Sequence, residues 1–555
     1  MRRLALAKRL AGRLTAYMES LPDMTKPVKE LRSAQELATR FANLGCDLSL
    51  RGEQAPMDDD ALERAFDEAL ASSVRTGHPL FMNQLFAGGD PISVVGDWLL
   101  SATNTNAHTY EVAPVFTLVE NAVIEKCADL VGWSSDSDAD GLFTPGGSIS
   151  NLYGMHLGAF LLPVLSLSLY LPPRTTHLLT YNTTMPGGSI SNATMRRPPI
   201  AARAAADPEL AERGAIGGRR MVAFVSENAH YSFKKTALVL GLGLNNLVQV
   251  PSLASSGQMD TEALAEAIRA VENDGTNALP FFVGSTSGTT VRGAYDNLKA
   301  ISTICEQSPS PLWHHNDASW GGGVLWSRTH SGLMSGIEQC DSFATNPHKM
   351  LGSVLSSAIF MTRHKNALQA ANATHAAYLF QPDKLNGDLD IGDKTIMCGR
   401  RGDAYKLWLM WKAAGDAGLE ARIDRCFDLA EAAKNHVRER ERTDGALRIA
   451  VDSSCTNVCF FVVPSSLRHL DTASLETLEK SSTPGMDDVD RLHRIAPRVK
   501  KMMESNGDAM VGFQAVDGLP NFFRLVVAST SSQLADEELT AMLDRMVTIA
   551  EDVQE

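Results

Sequence analysis

The run Asn346-Pro347-His348-Lys349 presents a lysine in a setting suited to covalent chemistry. An amine is a poor nucleophile at neutral pH unless desolvation or a nearby charge disfavours its ammonium form. Pro347 fixes the approach of the chain, and His348 sets a donor beside the amine. Three further groups precede this lysine. The block Thr144-Pro145-Gly146-Gly147-Ser148-Ile149-Ser150-Asn151 runs into a helical pattern. Glycine backbone, the Ser148 hydroxyl and the free N–H groups of a helix start can cradle a phosphate. His230, in Asn228-Ala229-His230-Tyr231-Ser232 just past an apolar strand, can stack on a flat heterocycle. Asp317, in His314-His315-Asn316-Asp317-Ala318-Ser319-Trp320, can hold a pyridinium N–H. His314 and His315 also suggest a metal, but neighbours on a strand point to opposite faces, so none is expected. Taken singly, each group is equally well a solvated loop residue or a capped turn. In the order phosphate loop, ring-stacking histidine, carboxylate and lysine, they are the parts that hold pyridoxal 5'-phosphate (PLP) as a Schiff base.

Holding such groups together requires a scaffold that ends several strands at one place. From about residue 90 to 400, helical stretches alternate with short apolar runs at Met221–Val225, Leu279–Val283, Pro311–His315 and Ser357–Met361. Most of these runs end in Gly, Ser, Thr, Asp or His, the α/β pattern of a mostly parallel sheet with polar loops at the strand ends. Residues 1–75 predict helices around an acidic loop at Met57-Asp58-Asp59-Asp60, and 76–405 a large domain. Residues 406–555 predict a small α+β domain, opening with a long helix and containing strands at Val458–Val463 and Phe522–Val527.

With 555 residues, 44% hydrophobic and 21% charged, the chain is an ordinary globular composition with room for a large core. A formal charge of −14 argues against nucleic acid or an anionic membrane as partners, so any anion site must be a local basic pocket. The eight cysteines are scattered and predict buried thiols in a reducing compartment. The first eighteen residues, basic and free of acid, fit either a mitochondrial or plastid presequence or the first helix of a cytoplasmic protein.

The longer runs resemble the group II PLP-dependent amino-acid decarboxylases, in the branch of glutamate decarboxylase and cysteine sulfinate decarboxylase. The resemblance covers roughly residues 70 to 550. It is carried by His78-Pro79-Leu80-Phe81-Met82-Asn83-Gln84-Leu85, Thr109-Tyr110-Glu111-Val112-Ala113-Pro114-Val115-Phe116 and Ser285-Thr286-Ser287-Gly288-Thr289-Thr290. Tyr378-Leu379-Phe380-Gln381-Pro382-Asp383-Lys384, Leu407-Trp408-Leu409-Met410-Trp411-Lys412 and Asn521-Phe522-Phe523-Arg524 extend it. It implies a fold-type I PLP-dependent transferase fold with a mostly parallel seven-stranded sheet, and a homodimer with active sites at the subunit interface. By the same resemblance Lys349 carries the cofactor, Asp317 pairs with its ring nitrogen and His230 stacks on the ring. Gly147, Ser148, Thr289 and His348 complete the cofactor set. Tyr378 lies on a mobile loop and is the expected proton donor to Cα. Gln84 would hold the substrate α-carboxylate, and Arg524 its distal acid group.

Substrate choice falls to Phe86, Asn106 and His108. Phe86, Gly132-Trp133-Ser134-Ser135 and Cys398-Gly399-Arg400-Arg401 resemble the cysteine sulfinate branch, whereas Asn106 resembles the glutamate enzymes and His108 matches neither. A bulky Phe86 shortens the pocket, which favours cysteine sulfinate or aspartate over glutamate. Glutamate decarboxylase producing GABA is the alternative. One segment departs from the family: residues 158–201 have no expected counterpart and contain a second Pro-Gly-Gly-Ser-Ile-Ser-Asn at 186–192. If folded there, it would interrupt the helix behind the phosphate loop and could leave a catalytically impaired dimeric scaffold.

Overall fold

The computed structural model describes residues 2–52, 55–133, 139–170, 220–276, 278–309, 311–376, 378–381, 383–470, 486–516, 518–528 and 532–553. The 158–201 segment therefore lies, beyond residue 170, outside the described residues.

Among the described residues, twelve strands form two sheets. The larger uses β2 (Asp140–Thr144), β3 (Met221–Ser226), β4 (Leu247–Val250), β5 (Leu279–Thr286), β6 (Trp313–Ala318), β7 (Ser342–Thr345) and β8 (Ala358–Thr362). Their order is β2-β8-β7-β6-β5-β3-β4. The pairs from β7 through β4 are parallel, while β2–β8 and β8–β7 are antiparallel. Two antiparallel steps return β2 to the direction of β7. The C-terminal ends of β2, β3, β5, β6 and β7 thus open on one edge, where ligands of open α/β sheets bind. Central strands buried on both faces are continuous apolar runs, as in β3 and β5, because helices cover both sides.

The smaller sheet has the order β1-β11-β12-β10-β9, built from β1 (Phe81–Met82), β9 (Leu447–Val451), β10 (Asn457–Val462), β11 (Met510–Gln514) and β12 (Phe522–Val526). β1 comes from far upstream and pairs parallel with β11, which ties the Asn83–Phe86 run to the second sheet. A 40-residue helical stretch, Ala404–Thr443, bends at Gly415, whose φ of 68° is a left-handed conformation that suits glycine. It packs against both sheets' helices and supplies core residues such as Leu407, Met410 and Leu429.

The acidic loop expected at 57–60 is instead a helix start. Asp58 caps the helix Asp59–Ser72 by accepting from the Ala61 N–H at 2.6 Å. The basic N-terminal helix Arg2–Glu19 lies along it, with Arg2 paired to Asp59 (2.9 Å), Arg9 to Glu63 (2.6 Å) and Arg13 to Glu63 and Asp67. Among the described residues no helix is long and apolar enough to cross a membrane.

Candidate active site

At the common edge of the large sheet lies a cavity of about 210 Å³. Each strand end contributes to its wall. Gly147 and Ser148 follow β2, His230 follows β3, and Thr286, Gly288 and Thr290 end or follow β5. Asp317, Ser319 and Trp320 end or follow β6, and Asn346 and Lys349 follow β7. Five of the sequence-predicted residues, Gly147, Ser148, His230, Asp317 and Lys349, are thereby brought together.

The helix Gly147–Tyr170 starts at the predicted glycine, so its unpaired N–H groups face the cavity edge. A Cβ on Gly147 would stand 2.3 Å from Ser319 Oγ, so only glycine lets the loop approach this closely. Gly288 has φ of 81°, and a Cβ there would meet the Gly321 backbone nitrogen at 2.6 Å.

Burial pushes the Lys349 amine below its ordinary pKa, against the opposing pull of the Asp317 charge. Desolvation is the cause that frees an amine for Schiff-base chemistry. For Asp317, burial pushes the carboxyl upward. The Ser319 side chain, the Lys349 charge, a hydrogen bond from Asn151 Nδ2 (2.7 Å) and the His230 charge outweigh it and hold the group below the usual value. Burial also lowers the His230 imidazole, with Asp317 opposing. A neutral flat ring on one wall and an ionised carboxylate on another are what a protonated pyridine ring needs.

The remaining predicted residues do not line this cavity. His348 is buried next to Lys349, and its Nδ1 accepts from the Ser357 N–H at 3.0 Å. The Thr289 hydroxyl accepts from the Ala294 N–H at 3.0 Å, and its neighbour Thr290 takes the place on the wall. Arg524, on β12, donates from Nη1 to the Thr290 carbonyl (3.2 Å) and from Nη2 to the Asn83 carbonyl (3.1 Å). Gln84 is exposed, and Phe86 is half-buried with its ring 6.1 Å from that of Phe81. Asn106 is tied to the 398–400 backbone, accepting from the Arg400 N–H at 2.8 Å and donating to the Cys398 carbonyl. His108 is buried with its ring 5.4 Å from Phe380, and burial lowers its pKa. Tyr378, two residues before Phe380, is 80% exposed.

The cavity also uses residues given no role from the sequence. Asn151 closes the quoted Gly-Gly-Ser block, Ser319 and Trp320 close the Asp317 run, and Thr290 is one place from Thr289. Their signal was adjacency to a motif. Arg400 is a second omission: it is 2% exposed and pairs with the 1% exposed Glu120 at 2.5 Å. Arg400 also donates to the Ala107 (3.0 Å) and Phe143 (3.2 Å) carbonyls, which joins the 106–108 loop to the strand that leads into Gly147.

The family model for the pyridoxal-dependent decarboxylase conserved domain matches residues 47–159 and 172–463. The chain belongs to that family. Human cysteine sulfinic acid decarboxylase is 38% identical over 509 residues, covering 91% of this chain and 89% of its own length. The acidic amino acid decarboxylase GADL1 of Bos taurus is 36% identical over 533 residues, covering 96% and 88%. A crystal structure of mouse CSAD matches with a TM-score of 0.82 at 34% identity, covering 100% of this chain and 99% of that one. The second family segment takes in the second Pro-Gly-Gly-Ser-Ile-Ser-Asn copy.

The chain is a PLP-dependent carboxy-lyase, and its cavity fits that cofactor. Among the described residues, two buried polar atoms on the wall, Thr286 Oγ1 and Asn346 Oδ1, have no hydrogen-bond partner. Buried polar groups are rarely left unpaired, so such a pair marks where a polar ligand completes the site.

Proposed function

We propose that the chain removes the α-carboxylate of a short acidic amino acid, cysteine sulfinate or aspartate, as a homodimer. The observation that carries this reading is Arg524. Among the described residues, its Nε has no hydrogen-bond partner, its two Nη atoms reach backbone carbonyls, and it pairs with no carboxylate. A half-buried guanidinium without an anion beside a cofactor cavity suits a carboxylate or sulfinate supplied by the substrate. Because Arg524 touches the Asn83 carbonyl, the Gln84-Leu85-Phe86 run follows directly on its partner, and the Phe86 ring would shorten the space for the substrate side chain. The names of the two relatives, cysteine sulfinic acid and acidic amino acid decarboxylase, support the same class.

Bound PLP supplies the electron sink for the pair left at Cα when carbon dioxide departs. Lys349 would hold the cofactor through its desolvated amine, Asp317 the ring N–H, and His230 one face of the ring. Gly147 and Ser148 would hold the phosphate, with Thr289 and His348 supporting the loops on either side. Gln84 would orient the substrate α-carboxylate, with Asn106 and His108 near the substrate. Tyr378 would deliver the proton to Cα from a loop that closes the site, since a positioned acid must be present when carbon dioxide leaves.

The homodimer is supported by exposed apolar side chains. Ile92, Val95 and Leu99 lie on one face of the helix Pro91–Thr103, and Val115 and Leu118 on that of Pro114–Leu130. Tyr378, exposed in one chain, would complete a site across that contact. A cytoplasmic location is the companion reading, because Arg2, Arg9 and Arg13 are engaged by the acidic helix. The deciding experiment compares carbon dioxide release from cysteine sulfinate, aspartate and glutamate by the PLP-loaded protein. A clear preference for the three-carbon acids is expected; a preference for glutamate overturns the substrate reading.

A further inference from the structure

Behind the cavity, one chain of hydrogen bonds has its direction fixed at both ends. It starts at the indole N–H of Trp313, which can only donate, and which reaches Ser342 Oγ at 2.8 Å. Ser342 Oγ lies 2.9 Å from His315 Nδ1, and His315 Nε2 lies 3.0 Å from Asn151 Oδ1. Asn151 Nδ2 then reaches Asp317 Oδ2 at 2.7 Å and Ser232 Oγ at 2.9 Å. Ser232 Oγ lies 2.9 Å from His230 Nδ1, which also faces the Ser232 backbone N–H at 3.3 Å.

An ionised carboxylate can only accept, so the Asn151 amide must turn its nitrogen to Asp317 and its oxygen to His315. His315 then carries its proton on Nε2 and accepts from Ser342 at Nδ1, which agrees with the obligate donor Trp313 at the far end. On the other branch Ser232 accepts from Asn151 and donates to His230. A backbone N–H can only donate, so His230 Nδ1 is an acceptor and its proton is on Nε2. Every link has one donor and one acceptor.

His315 cannot turn to reverse this order. It is fully buried, with its ring stacked 6.0 Å from both Phe282 and Phe360.

We propose that Asn151 is a positioning residue that holds Asp317 as an accepting carboxylate and sets the proton position of His230, with its own orientation locked from behind by His315. This rests on the assignment of Asp317 and His230 as the partners of the PLP ring. Asn151 thus joins the group that holds the ring nitrogen to the group that covers the ring face, and a change at one is felt at the other.

The test reads ring-nitrogen tautomers by NMR of histidine-labelled apoprotein, with signals assigned through variants at His230 and His315. Both rings are expected as the Nε2–H form. His315 found with its proton on Nδ1 overturns the proposal without any variant. Asn151→Asp keeps the size but replaces the donor to Asp317 with an acceptor. It is expected to mix the His230 tautomers and to weaken PLP binding by the apoprotein at least tenfold; unchanged tautomers with unchanged affinity also overturn the proposal. His315→Phe, which removes the lock while keeping a flat ring, should give a smaller loss with the same mixing, and an unaltered His230 signal counts against it. Failure of the wild-type protein to bind PLP through Lys349 would instead remove the underlying assignment.

Discussion

Replacing Gly147 with alanine tests the tightest contact of the cofactor loop. The new Cβ would stand 2.3 Å from Ser319 Oγ, 3.2 Å from Ser319 Cβ and 3.1 Å from Asn346 Nδ2. Ordinary contact is ~3.5 Å, so the Ser319 hydroxyl must retreat by about 1 Å. Both Ser319 and Asn346 line the cavity, and the space open to them is that cavity. Overpacking of this kind costs about 1–3 kcal/mol, which corresponds to a ~5–150-fold loss of PLP affinity. Trp320 is on the same wall, so quenching of its emission during titration of the apoprotein reports binding directly. The double variant Gly147→Ala with Ser319→Ala should recover part of the loss, because the 2.3 Å contact goes while those to Ser319 Cβ and Asn346 remain. Wild-type affinity in Gly147→Ala, or a double variant no better than the single, would refute the reasoning.

Three further outcomes follow from other parts of the molecule. Arg524→Ala should lower kcat/KM for the acidic substrate at least ~150-fold, the loss of about two charged hydrogen bonds, while PLP titration stays near wild type; equal losses in both would assign Arg524 to the fold. Arg400→Met strands the buried Glu120 carboxylate and should cost about 3–5 kcal/mol in urea unfolding, whereas a double change that also makes Glu120 apolar should recover most of it. The third outcome concerns acid. Burial lowers His314 to about 3 and His315 and His348 to about 4, below the ordinary histidine value. The unfolded chain therefore binds protons that the folded chain refuses, so their stability contribution is full above about pH 6.5 and declines as pH falls towards these values. Three such groups give a slope of about 4 kcal/mol per pH unit between roughly pH 6 and pH 4. Urea midpoints at pH 7, 6 and 5 should fall accordingly, and His348→Gln should flatten the decline.

The site was legible where motif residues stand at strand ends, since a glycine block, a histidine, an aspartate and a lysine each follow one strand. It was less legible where polar residues are buried. Asp341-Ser342-Phe343-Ala344-Thr345 has the composition of a loop, yet Ser342–Thr345 is the fully buried strand β7. Its polarity is absorbed by tertiary contacts: Ser342 serves Trp313 and His315, while Asp341 accepts from Arg363 (2.9 Å) and His364 (2.8 Å). The strand expected at Pro311–His315 starts two residues later and runs to Ala318, for a related reason. Asn316 and Asp317 extend the ladder because Asn316 Nδ2 donates to Ser285 Oγ, while Asp317 accepts from Asn151 and Ser319. His314 and His315 do face opposite sides, one meeting Ser285 and Ser302, the other Ser342 and Asn151. No local pattern announces such pairings, so the motif that contains Asn151 does not show its task.

We propose that Lys349 carries PLP. The most direct measurement loads the protein with PLP, reduces it with borohydride to fix the linkage, and maps the modified peptide by mass spectrometry. One pyridoxyl group per chain on Lys349 is the predicted result. Modification of a different lysine, such as the buried Lys406, or none at all, would contradict it.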